Sequence, residues 1–427
     1  MSARSARKEA QRFLDQLRAA QYAELGTFPR RLDPAAAKDV VNRYLRDSLI
    51  PEEGQDPQTR AVAERAAALG LQQGVDDMLS EMLAKMQDNI EKTAAARIKG
   101  LELGLRPLVG HLQTGQLNAV SMLVPGRAGA HLVLFHDQMP LFASKISKAV
   151  AWAIPHGPTD ANGMMTFKLS MDDVTERIEA DPGIAARFAD IIVNYAEGSL
   201  HQAGHHLMPP GYFNFARQLC DSLEYFVLGH EYAHILLGHL DTTAARKGVV
   251  PATEAEVLAY SWQQEHAADW MGMILSVNTC IEHHSMDIYN SFSGIGLFFD
   301  ALDVMDRAVA LLETGDETAR QLGSHPPSGR RKQLLCDFLP ALGGGESANA
   351  ERVTTALLVA EIQGEIIRLL WERTRPILLD RHRRGVRPDP RWRPIPKETG
   401  DEPAPAPPSA LMPKQVRRPG WRWGRSG

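Results

Sequence analysis

The sequence contains little cysteine and no long hydrophobic run. Its 427 residues include three cysteines, an odd number, scattered at Cys220, Cys280 and Cys336. A disulfide framework needs paired cysteines, so we expect the protein to fold in a reducing compartment. No window of about 18 apolar residues is present, which excludes a membrane-spanning helix. The N-terminal residues are charged throughout and lack the apolar segment of a secretory signal, so we expect a cytoplasmic protein.

The composition is that of an ordinary globular protein. Hydrophobic residues make up 44% and charged residues 23% of the chain, and the mean hydropathy is -0.26. A chain of this length is long enough for two or three domains with a hydrophobic core. The formal net charge of -5 lacks the basic excess that is typical of nucleic-acid-binding proteins.

Helical periodicity dominates the chain and is interrupted by one short region of strands. Apolar residues recur every three or four positions in residues 8–25, 33–50 and 59–105, which predicts a helical N-terminal region. Two runs rich in valine and leucine, LNAVSMLV and HLVLFHD, are separated by PGRAGA. They predict two strands between residues 117 and 136. The next segment, MPLFASKISKAVAWAIP, fits either a strand or a helix.

We therefore predict a mainly α fold with a small β-sheet, in the α+β class. An N-terminal helical region at 1–112 precedes a domain at 113–345 and a C-terminal helix at 346–380. Residues 381–427 contain ten prolines and twelve basic against four acidic side chains, a net charge of +8. Such a stretch buries too little apolar surface to fold, so we predict a disordered tail. This tail is the only candidate in the chain for contact with nucleic acid.

The chemically informative stretch is an HExxH motif inside a strongly apolar helical run. His230 and His234 are four residues apart, so in a helix both imidazoles share one face and can reach one metal ion. Glu231 lies about 100° further round the helix, where it can act on a water molecule at the metal without ligating the metal itself. The alternative is a pair of core histidines held by hydrogen bonds. Burying these groups without partners is costly, which favours the metal.

The residues after this motif exclude one class of zinc peptidase, the metzincins. That class has HExxHxxGxxH, whereas this chain has Leu237 and Leu240 at the last two defining positions. His239 is nine residues past His230, about 180° round a continuous helix, so we predict that it points away from the metal. A histidine in the last turn of a helix suits the helix dipole.

The third metal ligand is expected on a second helix. Thr253 and Glu256 form a capping box that predicts a helix start, and Glu265 and Asp269 lie four residues apart on one face of that helix. In this arrangement the glutamate ligates the metal and the aspartate accepts a ring N–H from a ligand histidine. His266 is the alternative third ligand. Two imidazoles and one carboxylate, with one position left for water, are typical of a catalytic zinc site.

A third element is SHPPSGRR at residues 324–331. Prolines just inside a helix start place His325 at the mouth of that helix. A histidine there can donate a hydrogen bond to the oxyanion of a tetrahedral intermediate. The alternative is a capped turn without a chemical role.

The order HEYAH, EHAAD and SHPPSGRR resembles the gluzincin metallopeptidases of the CAAX prenyl protease and HtpX type. The resemblance covers about residues 215–340 and implies a zincin-like core. It implies zinc bound by His230, His234 and Glu265, with Glu231 as general base and Asp269 orienting a ligand. It also implies that His325 and Arg331 stabilise the intermediate or bind the substrate backbone.

The sequence therefore predicts an intracellular zinc-dependent endopeptidase acting on a protein or peptide substrate. A strand edge within residues 117–136 would pair with an extended peptide through main-chain hydrogen bonds. One alternative is a regulatory or adaptor protein on a zincin frame, with the basic tail as its contact surface. Another is hydrolysis of a carbonyl substrate other than a peptide by the same residues.

Overall fold

The fold is described from a computed structural model of the chain. The structure describes residues 3–25, 75–98, 107–125, 129–157, 167–168, 170–204, 208, 210–241, 246–249, 256–259, 262–319, 325–342 and 347–392. Helices predominate and one three-stranded sheet accompanies them, which confirms the α+β class. None of the described helices has both the length and the apolar character needed to cross a bilayer.

The N-terminal part contains two described helices and the first strand of the sheet. Helix α1 spans Ala3–Leu25 and α2 spans Val75–Arg97, whereas the helix predicted at 33–50 lies outside the described residues. Strand β1, Leu108–Leu112, falls within the region predicted to be helical. It pairs with a later strand, so the sheet extends across the boundary predicted at residue 112. The short run LVGHL is almost wholly buried, and periodicity alone cannot assign such a run.

The two predicted strands are present as β2, Ala119–Leu123, and β3, His131–His136. The strand order is β1-β3-β2. Strand β1 runs parallel to β3, with Leu108 beside Leu132, and β2 runs antiparallel to β3. The segment that fitted a strand or a helix is a helix, α3, at Gln138–Ala153.

The central helix of the body is α6, Pro210–Leu236, which carries the HExxH motif. It packs against α3, against α7 at Trp262–His284 and against α8 at Ile288–Thr314. Helices α4, Met171–Ala180, and α5, Pro182–Ala196, precede it, and a short 3-10 turn, Leu200–Gln202, lies between. One continuous hydrophobic core joins these elements, so the motif helix is surrounded by other helices along most of its length.

Glycines set the distance between α6 and its neighbours at two points. A Cβ atom added at Gly272 of α7 would lie 2.8 Å from the backbone nitrogen of His230. A Cβ atom added at Gly294 of α8 would lie 2.6 Å from the backbone nitrogen of Leu223. Since real Cβ atoms do not approach so closely, only glycine allows these helices to lie so near α6.

The segment between the two ligand-bearing helices differs from the prediction. A 3-10 turn at His239–Asp241 follows α6, and strands β4, Arg246–Val249, and β5, Glu256–Ala259, form an antiparallel pair. The predicted helix start at Thr253 lies outside the described residues, and Glu256 belongs to β5. Residues Glu256–Ala259 pair with β4 through the backbone instead of starting a helix, and the helix begins at Trp262.

The C-terminal helices cover one side of the body. Helix α9 spans Ser328–Leu342 and α10 spans Ser347–Arg383, three residues beyond the predicted end at 380. A last 3-10 turn, Pro390–Trp392, follows. The Trp392 ring stacks on Tyr195 at 4.6 Å, and its Nε1 donates to the Tyr195 carbonyl oxygen. The predicted disordered tail is therefore wrong for residues 381–392, because these contacts hold them; residues 393–427 lie outside the described residues.

Candidate metal centre

The two motif histidines face each other near the C-terminal end of α6. His230 and His234 are both buried, and their Nε2 atoms lie 3.1 Å apart. One cation between the two rings could accept both Nε2 lone pairs. The four-residue spacing on a helix accounts for the shared face.

Glu265 of α7 completes the cluster. Its carboxylate is fully buried, with Oε2 at 3.6 Å from His230 Nε2 and Oε1 at 3.7 Å from His234 Nε2. Within the described part of the chain, these three residues form the only group of three or more potential ligands, with ligand atoms within 4.8 Å of one another. Glu265 lies in the first turn of α7, where the helix dipole favours a negative charge.

The charge on Glu265 is stabilised by the side chains around it. Burial alone would raise the pKa of Glu265, but His325, Arg331 and His230 outweigh burial and hold this pKa well below its usual value. The carboxylate is therefore ionised at neutral pH, which is the form that ligates a metal. His266, the alternative ligand, lies outside the cluster, and neither of its buried ring nitrogens has a hydrogen-bond partner among the described residues.

Asp269 lies behind His230, one turn after Glu265. Asp269 Oδ1 is 3.0 Å from His230 Nδ1, so it is in range of a proton on the ring nitrogen that faces away from the cluster. Burial would raise the pKa of Asp269, but Arg331 and His230 lower it to about 2. An ionised Asp269 favours a proton on Nδ1 of His230, which leaves the Nε2 lone pair for a metal.

Arg331 is buried behind the potential ligands and contacts Asp269 and Glu265. Its side chain is 6% exposed. Its Nε donates to Asp269 Oδ2 at 2.7 Å and its Nη2 to Asp269 Oδ1 at 2.5 Å. Nη2 also lies 3.3 Å from Glu265 Oε2. Carboxylates therefore occupy the N–H edge of the guanidinium, and the Phe299 ring lies over one face at 5.1 Å. Contact of Arg331 with the intermediate or the substrate backbone stays a prediction.

Glu231 is buried beside the cluster, and its Oε2 atom has no hydrogen-bond partner among the described residues. Burial raises the pKa of Glu231 to about 7, although His230 and a hydrogen bond from Ser121 of β2 oppose the rise. A carboxylate with a free oxygen and a pKa near neutrality can accept and release a proton at physiological pH.

His325 stands at the rim of the cluster, just before α9. Its side chain is 53% exposed, and its Nδ1 lies 2.8 Å from Glu265 Oε2. Of the predicted site residues it is the exposed one, so it is within reach of a molecule arriving from solvent. The two prolines that follow it lie just before the first residue of α9, Ser328, and not inside the helix as predicted.

The prediction for His239 was wrong. Helix α6 ends at Leu236, and Gly238 adopts a φ of 69°, a conformation that favours glycine. The chain therefore turns back, and His239 Nδ1 lies 2.8 Å from His234 Nδ1. Burial lowers the pKa of His239 to about 4. The signal that could have indicated this contact is the glycine one residue before His239, a usual helix-terminating residue.

A second contact missed by sequence reasoning joins the motif to the N-terminal part. Tyr232, inside HEYAH, donates its hydroxyl proton to Glu91 Oε1 of α2 at 2.8 Å. No local pattern relates these two residues, which are 141 positions apart in the chain.

The cluster as a whole is thus a compact set of two imidazoles and one carboxylate with charged residues behind it. Comparisons with protein-family models, with curated proteins and with solved structures found no match to this chain.

Proposed function

We propose that this protein is a zinc-dependent metalloendopeptidase with a zincin-like core. The observation that carries the proposal is the convergence of His230, His234 and Glu265 from two helices onto one point, with Glu231 beside them. The linear distance from His234 to Glu265 is large, so only the fold brings the three together. Each predicted ligand belongs to this one group.

The donor set fits zinc among the common metals. Two imidazole nitrogens and one carboxylate oxygen are the ligands of many catalytic zinc sites, whereas calcium and magnesium prefer oxygen alone. The ionised Glu265 and the proton acceptor behind His230 are both features of such a site. A zinc ion held by these residues would polarise a scissile carbonyl and lower the pKa of a water molecule.

Glu231 supplies the proton transfer. Its Oε2 atom, which has no hydrogen-bond partner in the described part of the chain, would accept a proton from the attacking water and then deliver it to the leaving amine. A pKa of about 7 allows both steps near neutral pH. His325 is the exposed donor next to the ligands, and we assign it to the developing oxyanion.

Strand β2 is the surface we assign to the substrate backbone. It is an end strand of the sheet, it packs against α6, and its Ser121 hydrogen-bonds Glu231. Strand β5 lies near β2 without pairing with it in the described sheet. An extended peptide on this edge would be bound through its main chain, which suits an endopeptidase.

Metal content is the first test. Purified wild-type protein should contain about one zinc per chain, and His230→Ala should contain none. Absence of zinc from the wild type after incubation with the metal would contradict the proposal, since the histidines would then be core residues.

Turnover of a fluorogenic peptide library tests the chemistry. Glu231→Gln should retain zinc and lower turnover by at least about a hundredfold. Glu224→Gln, a matched substitution seven residues earlier on the same helix, should leave turnover unchanged. Full activity of Glu231→Gln would rule out this mechanism, and cleavage of small esters or amides without cleavage of peptides would redirect the assignment to another carbonyl substrate.

A further inference from the structure

The two ligand histidines have different partners on the side away from the cluster. His230 Nδ1 faces the carboxylate of Asp269, at 3.0 Å. His234 Nδ1 faces another imidazole, that of His239, at 2.8 Å. All of these side chains are buried, so solvent water does not compete for either contact.

We propose that His239 is a positioning residue for His234, and that its Nδ1 accepts the Nδ1 proton of His234. This inference rests on the proposed metal centre. It assigns His234 the tautomer with a proton on Nδ1 and a free lone pair on Nε2. The Nε2 atom is the one that faces His230 and Glu265.

The short contact requires one proton to lie between the two nitrogens. A neutral imidazole has one donor and one acceptor nitrogen, so a ring N–H on one side must meet a lone pair on the other. If His239 were the donor, His234 would carry its own proton on Nε2, directed at His230 Nε2 only 3.1 Å away. That arrangement would remove His234 from the ligand set, whereas the reverse arrangement makes it a ligand.

The backbone holds His239 in this position. The helix stops at Leu236, the glycine at 238 takes a positive φ, and the 3-10 turn beginning at His239 directs the ring back toward α6. Leu240, the next residue, is buried and anchors the turn. A carbonyl or carboxylate is the usual acceptor behind a ligand histidine; this chain uses a turn and an imidazole.

Zinc affinity of three variants tests the inference. His239→Leu removes the acceptor and should weaken zinc binding by about 10- to 100-fold in competition with a chelator. His239→Asn places an amide oxygen near the position of Nδ1 and should restore most of the affinity. His201→Leu changes an exposed histidine in another 3-10 turn and should have no effect.

The tautomers can be read by NMR. Long-range ¹H–¹⁵N spectra of the zinc-loaded protein, with ¹⁵N-labelled histidine, should show the proton of His234 on Nδ1 and the proton of His239 on Nε2 in the wild type. A wild-type His239 with its proton on Nδ1 would overturn the inference, even if no variant folds. Equal zinc affinity of His239→Leu and wild type would also overturn it.

These outcomes separate the inference from the proposed function. A wild-type protein that binds no zinc contradicts the metal centre, and the inference falls with it. A protein that binds zinc and loses none of its affinity in His239→Leu keeps the metal centre and refutes the role of His239.

Discussion

Two successive stretches of α6, residues 222–228 and 229–235, have a glutamate followed by a tyrosine at the same positions. Glu224 and Glu231 are seven residues apart, so they lie on nearly the same face of the helix. Both are buried, 5% and 6% exposed. Where the second stretch has His230 and His234, the first has Leu223 and Val227.

The two glutamates are accommodated in different ways. Burial, with a contribution from Asp221, raises the pKa of Glu224 to about 8, so a proton neutralises it. Near Glu231, the carboxylates of Glu265 and Asp269 are opposed by the guanidinium of Arg331, and Glu231 itself has a pKa raised to about 7. Burial of a glutamate in this helix therefore does not indicate a metal; the convergence of the histidines with Glu265 does.

The largest effect is expected from the ionisation of Glu224. Its pKa is about 8 in the folded protein and 4.5 in the unfolded chain, so the folded state keeps a proton that the unfolded chain releases. The resulting stability is complete below pH 4.5 and is lost as the pH rises through about 8, by up to about 5 kcal/mol. Glu224→Gln should remove this loss, as measured by urea unfolding with EDTA between about pH 5 and 9.

Glu231→Gln is the matched comparison for this experiment. Because the pKa of Glu231 is raised only to about 7, the variant should remove a smaller part of the pH dependence, up to about 3 kcal/mol. If Glu224→Gln loses as much stability as the wild type over this range, the first stretch does not hold a protonated glutamate.

The next effect concerns the charges behind the second stretch. Asp269→Asn leaves the buried guanidinium of Arg331 without its bidentate partner, and should lower the free energy of unfolding by about 3–5 kcal/mol. Zinc affinity should also fall, by about 10- to 100-fold. Asp380→Asn breaks a pair with Arg384 that is largely exposed and should cost less than about 1 kcal/mol. Equal costs for the two variants would contradict the buried ion pair.

The proposed ligands could be predicted from the sequence because their spacing is local. Residues four apart share a helix face. This applies to His230 with His234 and to Glu265 with Asp269. The position of His239 could not be predicted in this way. Its angle around the helix axis was calculated for a continuous α6, whereas the chain turns at Gly238. The partner of Arg331 is 62 positions away, and the choice among such partners is made by packing.

The fold shows the same difference between local patterns, which can be predicted, and long-range contacts, which cannot. Long periodic segments such as residues 8–25 predicted helices, because the period of the apolar residues is itself the signal. Strand β1 and residues 381–392 were predicted wrongly. A run of five residues, four of them buried, is too short to show a period, and the stacking of Trp392 on Tyr195 outweighs the polar composition around it.

A smaller effect is expected from the glycines that lie against the two stretches. Gly272→Ala and Gly294→Ala each place a Cβ atom closer than 3.0 Å to the backbone of α6, and each should cost about 1–3 kcal/mol. Only Gly272→Ala should weaken zinc binding, since it displaces His230. Gly329→Ala in α9, where a Cβ atom meets nothing within 4 Å, should be neutral or stabilising by up to about 1 kcal/mol. An equal loss of zinc affinity in both crowded variants would mean that a displacement at the first stretch also moves the ligands of the second.

The smallest effect is expected from the two tyrosines, which both contact α2. Tyr232 donates to the carboxylate of Glu91, and Tyr225 accepts a hydrogen bond from the amide of Asn89 at 2.8 Å. Each change to phenylalanine should cost about 1 kcal/mol in urea unfolding, with the larger cost at Tyr232 because its partner is a carboxylate. Zinc affinity should stay unchanged in both variants, because both hydroxyls face α2 rather than the ligands. A drop in zinc affinity confined to Tyr232→Phe would instead show that α2 controls the position of the HExxH motif.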